Sequence, residues 1–239
     1  RPFLLHNQPM SIKTEMGNPG DANENNPEFI AQFRRAFEWV LKNAPTEQVD
    51  AVFLHPLSHG DDEEMFPLAA RLITEGKAKF IVINGSDGEA INDPTPGKAW
   101  AGKDEYIRRL TECGVDRNQI ILSEPAFHTR QNNDVFLAAA IEHGWRSAVT
   151  LNQPQQLLRA TLGQIRAMQN NNYWMRLYST YSEPWDAKKE VFGPQGADKE
   201  RRYMLIGKEF GRIIAYQKKH DLVSLEEFFA YMARRSEIR

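Results

Sequence analysis

The sequence predicts an α/β fold: a three-layer α/β/α, Rossmann-like, doubly wound parallel sheet, preceded by an N-terminal helix and followed by a C-terminal helical cap. Three observations predict it. From Val49 onward, short apolar runs rich in β-branched residues alternate with stretches of helical periodicity. Gly76, Gly114 and Gly144 stand where three of those helical stretches end. Polar, turn-forming residues gather where each apolar run hands over to a helix, the edge at which open parallel sheets bind ligands.

Residues 11–27 are polar and rich in turn formers, and read as a surface connector. Asn26 before Pro27 makes a good helix start, after which Phe29, Ile30, Phe33, Phe37, Val40 and Leu41 share one face up to about Asn43. Six bulky apolar groups on one stripe imply docking on the main body. Asp50–His55 is the first strand. A loop reading HPLSHGDDEE follows it, then a helix carrying Leu68, Leu72 and Ile73. Lys79–Asn84 is the second strand; it opens into Gly85-Ser86-Asp87-Gly88 and leads to a helix with Tyr106, Ile107 and Leu110.

Gln119–Leu122 is the third strand and, being wholly apolar after its first residue, is expected to be buried on both faces. Thr129 is placed to cap the next helix, which carries Val135, Phe136, Ala139 and Ala140. Ser147–Leu151 is the fourth strand, and Pro154 suits the first turn of a helix with Leu157, Leu158, Leu162 and Ile165. Trp174–Tyr178 reads as a fifth strand. After Ser179 a long polar and aromatic segment precedes two helices. One carries Tyr203, Met204, Ile206, Phe210, Ile213 and Ile214; the other is capped by Ser224 with Glu227 and carries Phe228, Phe229 and Met232. The expected division is thus a connector and docking helix over 1–48, an α/β domain over 49–180, and a loop and helical cap over 181–239 packed on the same body.

The totals narrow the function. The 239 residues are 26 % charged with a formal net charge of −2, so nothing points to a nucleic-acid partner. Cys113 stands alone, which excludes an intrachain disulfide and a cysteine-based zinc site. It fits a reducing compartment and sets the expectation of a cytoplasmic protein, with a leader or anchor ahead of Arg1 left open. No run approaches the length of a membrane span. The oligomeric state is not set by the sequence.

Four polar clusters follow the first four strands. In the first loop His55, Ser58, His59, Asp61 and Asp62 lie within eight positions. His55 and Ser58 are candidates to face a ligand, and His55, His59 and Asp61 are the candidate donors should a divalent metal bind. The competing reading is that these acidic residues simply suit the N-terminus of the next helix. Metal is the less favoured of the two. In the second loop Asn84, Gly85 and Ser86 could present polar groups to an anion, or form a plain tight turn; neither the dinucleotide fingerprint nor the Walker lysine is present. After the third strand Glu124, as a base or as an acceptor for ribose or amine hydrogen bonds, and His128, as a proton-transfer group, are the candidate catalytic residues, with Thr129 and Asn132 as ligand contacts at a helix N-terminus. After the fourth, Thr150 and Asn152 leave the strand, and Arg159 on the following helix suits phosphate or carboxylate, unless it is a solvated helix arginine. Cys113 lacks an activating partner and reads as structural. No Gly-x-Ser-x-Gly elbow is present, which disfavours that type of hydrolase.

Taken in order, several of these motifs resemble the YdcF/SanA/ElyC family over roughly Asp50 to Met168. The parts are the Asp50-initiated strand, Arg71 within AARLITEGKAK, the INGSDG turn, Cys113-Gly114-Val115 with the Ile120 strand, Glu124, Thr129-x-x-Asn132, and Thr150 with Arg159-Ala160. Phe192–Gly196 (FGPQG) is similar to a stretch near the C-terminus of YdcF-type members. Gln131 stands where many members have an acid, and Gln156 where a histidine usually precedes the arginine. Asp104 and Glu105 are the shifted candidates for the acid that follows the second strand. The resemblance implies a Rossmann-like fold with a cleft at the strand C-termini. It also implies S-adenosylmethionine or another nucleotide as a conceivable cofactor, and a small polar, nucleotide-like or phosphorylated ligand, with transfer or hydrolysis as the chemistry if there is any. Metal-assisted hydrolysis through the 55–62 loop, and a non-catalytic interaction module using the C-terminal helices and the aromatic 173–192 segment, are the alternatives.

Overall fold

The computed structural model describes residues 25–58, 60–88, 100–181, 185–192 and 198–238. Its centre is a parallel sheet of β1 (Val49–Leu54), β2 (Ala78–Ile83), β3 (Ile120–Leu122), β4 (Ser147–Asn152) and β5 (Arg176–Tyr181), in the order β3-β2-β1-β4-β5. The side chains of the sheet alternate between two cores. Ala51, Phe53, Val82, Ala148 and Leu177 point to one face, and Val52, Leu54, Ile81, Ile83, Val149 and Leu151 to the other.

Helices cover both faces. The Val52 face packs on α2 (Met65–Thr74) and α3 (Lys103–Glu112) through Met65, Phe66, Ala69, Ile73, Tyr106 and Leu110. The Phe53 face packs on α1 (Pro27–Leu41), α4 (Thr129–His143), α5 (Pro154–Asn171), α6 (Arg202–Lys218) and α7 (Leu225–Arg234). This is a three-layer, doubly wound arrangement. Strand order reverses between β1 and β4, so the crevice beyond their C-terminal ends is the topological switch point.

The N-terminal helix docks as its apolar stripe requires. Asn26 Oδ1 caps it by accepting from the N–H of Glu28 and Phe29, Pro27 opens it, and Phe29, Phe33, Phe37 and Val40 are buried. Phe33 meets Phe210 of α6 edge-on with ring centroids 4.7 Å apart, and Trp39 meets Phe228 of α7 at 5.7 Å. The capping box of Ser224 and Glu227 is formed, with N–H···O distances of 3.1 and 2.7 Å.

Three expectations need correction. β3 is an edge strand of three residues, so it is not buried on both faces: Ile120 is buried, but Leu122 is 37 % exposed. A two-stranded antiparallel ribbon, β6 (Glu190–Phe192) with β7 (Lys199–Arg201), interrupts the segment before the C-terminal helices and has no counterpart in the sequence reading. β5 runs from Arg176 to Tyr181, later than Trp174–Tyr178, because its register is set by pairing Ser147 with Arg176 and Asn152 with Tyr181.

At the foot of the sheet, Asp50 ties three strands together. Its carboxylate accepts from the N–H of Arg146 and Ser147, from Ser147 Oγ, and from Lys79 Nζ at 2.8–3.1 Å. At the far side, the outer edge of β5 is closed by side chains. Tyr231 Oη accepts from Leu177 N–H at 2.8 Å and donates to Met175 C=O at 2.6 Å. Arg235 donates to Leu177 C=O at 2.9 Å and to Asn43 Oδ1 at 2.6 Å, while Asn43 C=O accepts from Ser179 N–H. No helix among the described residues is long and apolar enough to cross a membrane.

Candidate functional site

A cleft of about 930 Å³ lies over the C-terminal edge of the sheet. The loops after β1, β2, β3 and β4 all contribute to it, from Pro56-Leu57-Ser58, Gly85–Gly88, Pro125–Thr129 and Gln153. Arg159 and Gln156 on α5, Arg212 and Tyr216 on α6, the Asp221-Leu222 turn and Phe192 of β6 complete its wall.

Asn84 holds the two central loops in register. Its Oδ1 accepts from Ser86 N–H at 2.8 Å and Ala126 N–H at 3.2 Å; its Nδ2 donates to Ala126 C=O at 2.6 Å and Asn132 Oδ1 at 2.9 Å. With both ends of the amide occupied and 1 % of the residue exposed, Asn84 shapes the site from behind. Gly85 is required for contact between these loops: a Cβ there would stand 2.1 Å from Ser123 C=O. The Gly88–Gly102 pair brings two backbones equally close, and Lys103, paired with Asp87, donates its N–H to Ser86 C=O. This turn therefore has a packing reason for its glycines, as well as a place on the cleft wall.

The first turn of α4 is built differently from the expectation. His128, not Thr129, is the N-cap: its backbone is extended and its Nδ1 accepts from Gln131 N–H at 3.3 Å, while Gln131 Oε1 accepts from Phe127 N–H at 2.9 Å. Thr129 is thereby released to the first helical position, where its Oγ1 accepts from Arg159 at 2.8 Å. The N–H groups of Thr129 and Arg130 have no acceptor among the described residues, as the first donors of a helix do.

Arg159 is nearly buried and spans two helices. Its Nε donates to Glu209 Oε2 of α6 at 2.5 Å and an Nη to Oε1 at 3.4 Å. Arg212 reaches the same carboxylate at 2.5 Å. Two guanidiniums thus share one carboxylate that is 2 % exposed, which leaves about one unit of positive charge beside the N-terminus of α4, itself worth roughly half a charge of the same sign. Elsewhere on the wall, Arg130 pairs with Asp221 at 2.6 Å, and the Asp61 carboxylate accepts through Oδ1 from Phe192 N–H at 3.3 Å.

The candidates divide between the cleft wall and its surroundings. Ser58, Gly85, Ser86, His128, Thr129, Asn132 and Arg159 line the cleft. His55 lies beneath it, 2 % exposed, with its ring edge-on to Phe136 and its Nε2 3.1 Å from Gln164 Nε2. Gln164 Oε1 accepts from Thr150 Oγ1, and with the amide in this orientation Gln164 Nε2 donates to Nε2 of His55. Burial, with the charge of Arg159 second, pulls the imidazole down to about 3, so the ring is neutral at physiological pH. Asn152 is buried and accepts from Gln153 N–H. Glu124 is exposed on the approach to the cleft without lining it. His59 and residues 193–196 of the Phe192–Gly196 stretch lie outside the described residues. Among those described, no three acidic, histidine or cysteine side chains come together as metal donors.

Sequence reasoning missed Arg130, Arg212, Tyr216 and Phe127, the last of which is 71 % exposed on the rim. Arg212 carried no local signal, because Glu209, which links it to Arg159, lies 50 residues along the chain from Arg159. The apolar faces of α6 and α7 are spent on the core, and Tyr203, Met204 and Trp185 are the large apolar groups left in solvent on this C-terminal region.

No family model matches the chain. No curated protein matches it either.

Proposed function

We propose that the chain is a YdcF-like α/β protein that binds a small anionic ligand, phosphorylated or nucleotide-like, in the cleft over β1 and β4. The observation that carries this reading is the sharing of Glu209 by Arg159 and Arg212 beside the open first turn of α4. A phosphate or carboxylate placed there meets backbone N–H donors, the hydroxyl of Thr129 and a local excess of positive charge. Gln153, Gln156, Ser58 and Ser86 supply neutral hydrogen-bonding groups around it. The ligand is a substrate of transfer or hydrolysis if His128, on the same wall, moves a proton at its free Nε2; Nδ1 is engaged in the cap.

The test is a thermal-shift and calorimetric screen of the whole chain against phosphate esters, nucleotides and S-adenosylmethionine, with Arg159→Ala alongside. A ligand at a hundredfold excess over its Kd should stabilise the protein by about 2.7 kcal/mol. Anionic ligands that protect the wild type and Arg159→Ala equally, or none that protects at all, would defeat the reading.

A further inference from the structure

The start of α5 holds a second donor that the anion contacts leave unused. Gln153, at the N-cap of that helix, is 2 % exposed and lines the cleft. Which end of its amide faces the cleft follows from a chain of hydrogen bonds that begins at an arginine. Arg202 Nε, which can only donate, gives a hydrogen bond to Gln155 Oε1 at 3.2 Å. Gln155 must therefore donate through Nε2, and it does so to Gln153 Oε1 at 2.7 Å; Gln156 Nε2 reaches the same oxygen at 3.4 Å. Oε1 of Gln153 is thus engaged in the scaffold. Its Nε2 has no acceptor among the described residues, yet it is not sealed from solvent as Gln217 Oε1 and Trp174 Nε1 are. For a side chain this buried on the cleft wall, the way open to Nε2 is the cleft. An amide held with its donor end unmet is a place for an acceptor to arrive from elsewhere.

We propose that Gln153 Nε2 donates to a second oxyanion of the ligand, so that the cleft selects a phosphate ester that also carries a carboxylate over one that does not. The inference rests on the anion reading above and names the substrate class of that site. A charged acceptor suits the position. Gln153 opens an 18-residue helix, whose dipole sets about half a positive charge there, and the first turn contains no acidic residue to offset it. The spacing agrees. Gln153 and Arg159 stand about 9 Å apart in axial rise, and helical side chains such as that of Arg159 lean back toward the start of the helix. With a hydrogen bond at each end, that separation fits a carboxylate close along the chain from the phosphate.

Calorimetric titration with phosphoglycolate and with ethyl phosphate, which lacks the carboxylate, tests this in about 0.15 M salt, where charges more than about 8 Å away are screened. The wild type should bind phosphoglycolate about tenfold tighter, as one charge-assisted hydrogen bond provides. In Gln153→Met that preference should disappear. Gln153→Glu keeps an oxygen for Gln155 and turns the cleft-facing end from donor to acceptor, so the preference should invert; this variant decides the matter if methionine unsettles the α5 cap. A preference for phosphoglycolate that survives substitution would overturn the proposal while leaving the anion site standing. A wild type that binds both esters equally also overturns it. If neither ester binds, or if Arg159→Ala binds both as the wild type does, the anion reading falls, and this inference with it.

Discussion

Replacing His55 by asparagine puts a number on the neutral, buried state of the imidazole under the cleft. The ring is 2 % exposed, packs edge-on to Phe136, and accepts from Gln164, whose own carbonyl is held by Thr150. Its folded value of about 3 lies below the ordinary value of 6.5, so below pH 6.5 the unfolded chain takes up a proton that the folded chain refuses. The stabilisation that His55 provides is therefore complete above pH 6.5 and drains away as the pH falls towards 3. The rate is about 1.4 kcal/mol per pH unit, or about 2 kcal/mol between pH 7 and pH 5. Asparagine does not titrate. At pH 7 the variant should be less stable by roughly 2 kcal/mol, from lost ring packing and a weakened bond to Gln164. By pH 5 that difference should have almost vanished. Urea denaturation of both proteins at pH 7, 6 and 5, at fixed ionic strength, reads it directly. Parallel stability curves for the two proteins would refute the argument, because they would require a ring that takes up its proton equally well folded and unfolded.

Three further outcomes are expected. Glu209→Leu should cost about 3 kcal/mol in chloride, because it strands the buried Arg159, and part of that loss should return in phosphate buffer of matched ionic strength. An equal loss in both buffers would count against an anion at this point. Asp50→Asn should cost about 1–2 kcal/mol at pH 7, allowing for partial exposure of the carboxylate. Burial pushes the Asp50 carboxyl up, but hydrogen bonds from Lys79, Arg146 and Ser147 outweigh it and hold the value below normal. Its contribution is thus present above the ordinary carboxylate range and lost as the pH drops through it, and the variant and wild type should converge in acid. Ligand affinity should not change, since Asp50 is at the opposite end of β1 from the cleft. Tyr231→Phe should lower stability by about 2 kcal/mol in the same denaturation assay, because Leu177 N–H and Met175 C=O both lose their partner; an unchanged midpoint would show that water replaces the hydroxyl without cost.

What the chain discloses about its fold and site divides along physical lines. β1 and β2 contain the unbroken apolar runs Ala51–Leu54 and Phe80–Ile83 because each strand is paired on both sides and covered on both faces, and such runs are visible in a single sequence. β3 reads the same way yet lies at the edge, since strand order is a property of pairings between distant segments. The β6–β7 ribbon is three residues on each side and too short for periodicity to register. Loop residues that follow strands in a parallel sheet converge by topology alone, and so Ser58, Gly85, Ser86, Thr129, Asn132 and Arg159 share one hollow. Which of them are consumed in holding the scaffold depends on partners that spacing does not reveal. Asn84 is engaged at both ends of its amide, whereas His128 takes the capping position that residue preference assigned to Thr129.

The side-chain seal along β5 makes the last helix a guard for the whole sheet. A chain cut after Val223 would retain every strand and both central cores' strand residues, but would lack Tyr231 and Arg235, whose groups occupy the backbone of Met175 and Leu177. Bare amides and carbonyls along that margin would then be available to a strand from another molecule. Proteolytic loss of the C-terminal tail would therefore bare the Met175–Leu177 margin of the sheet to strand addition.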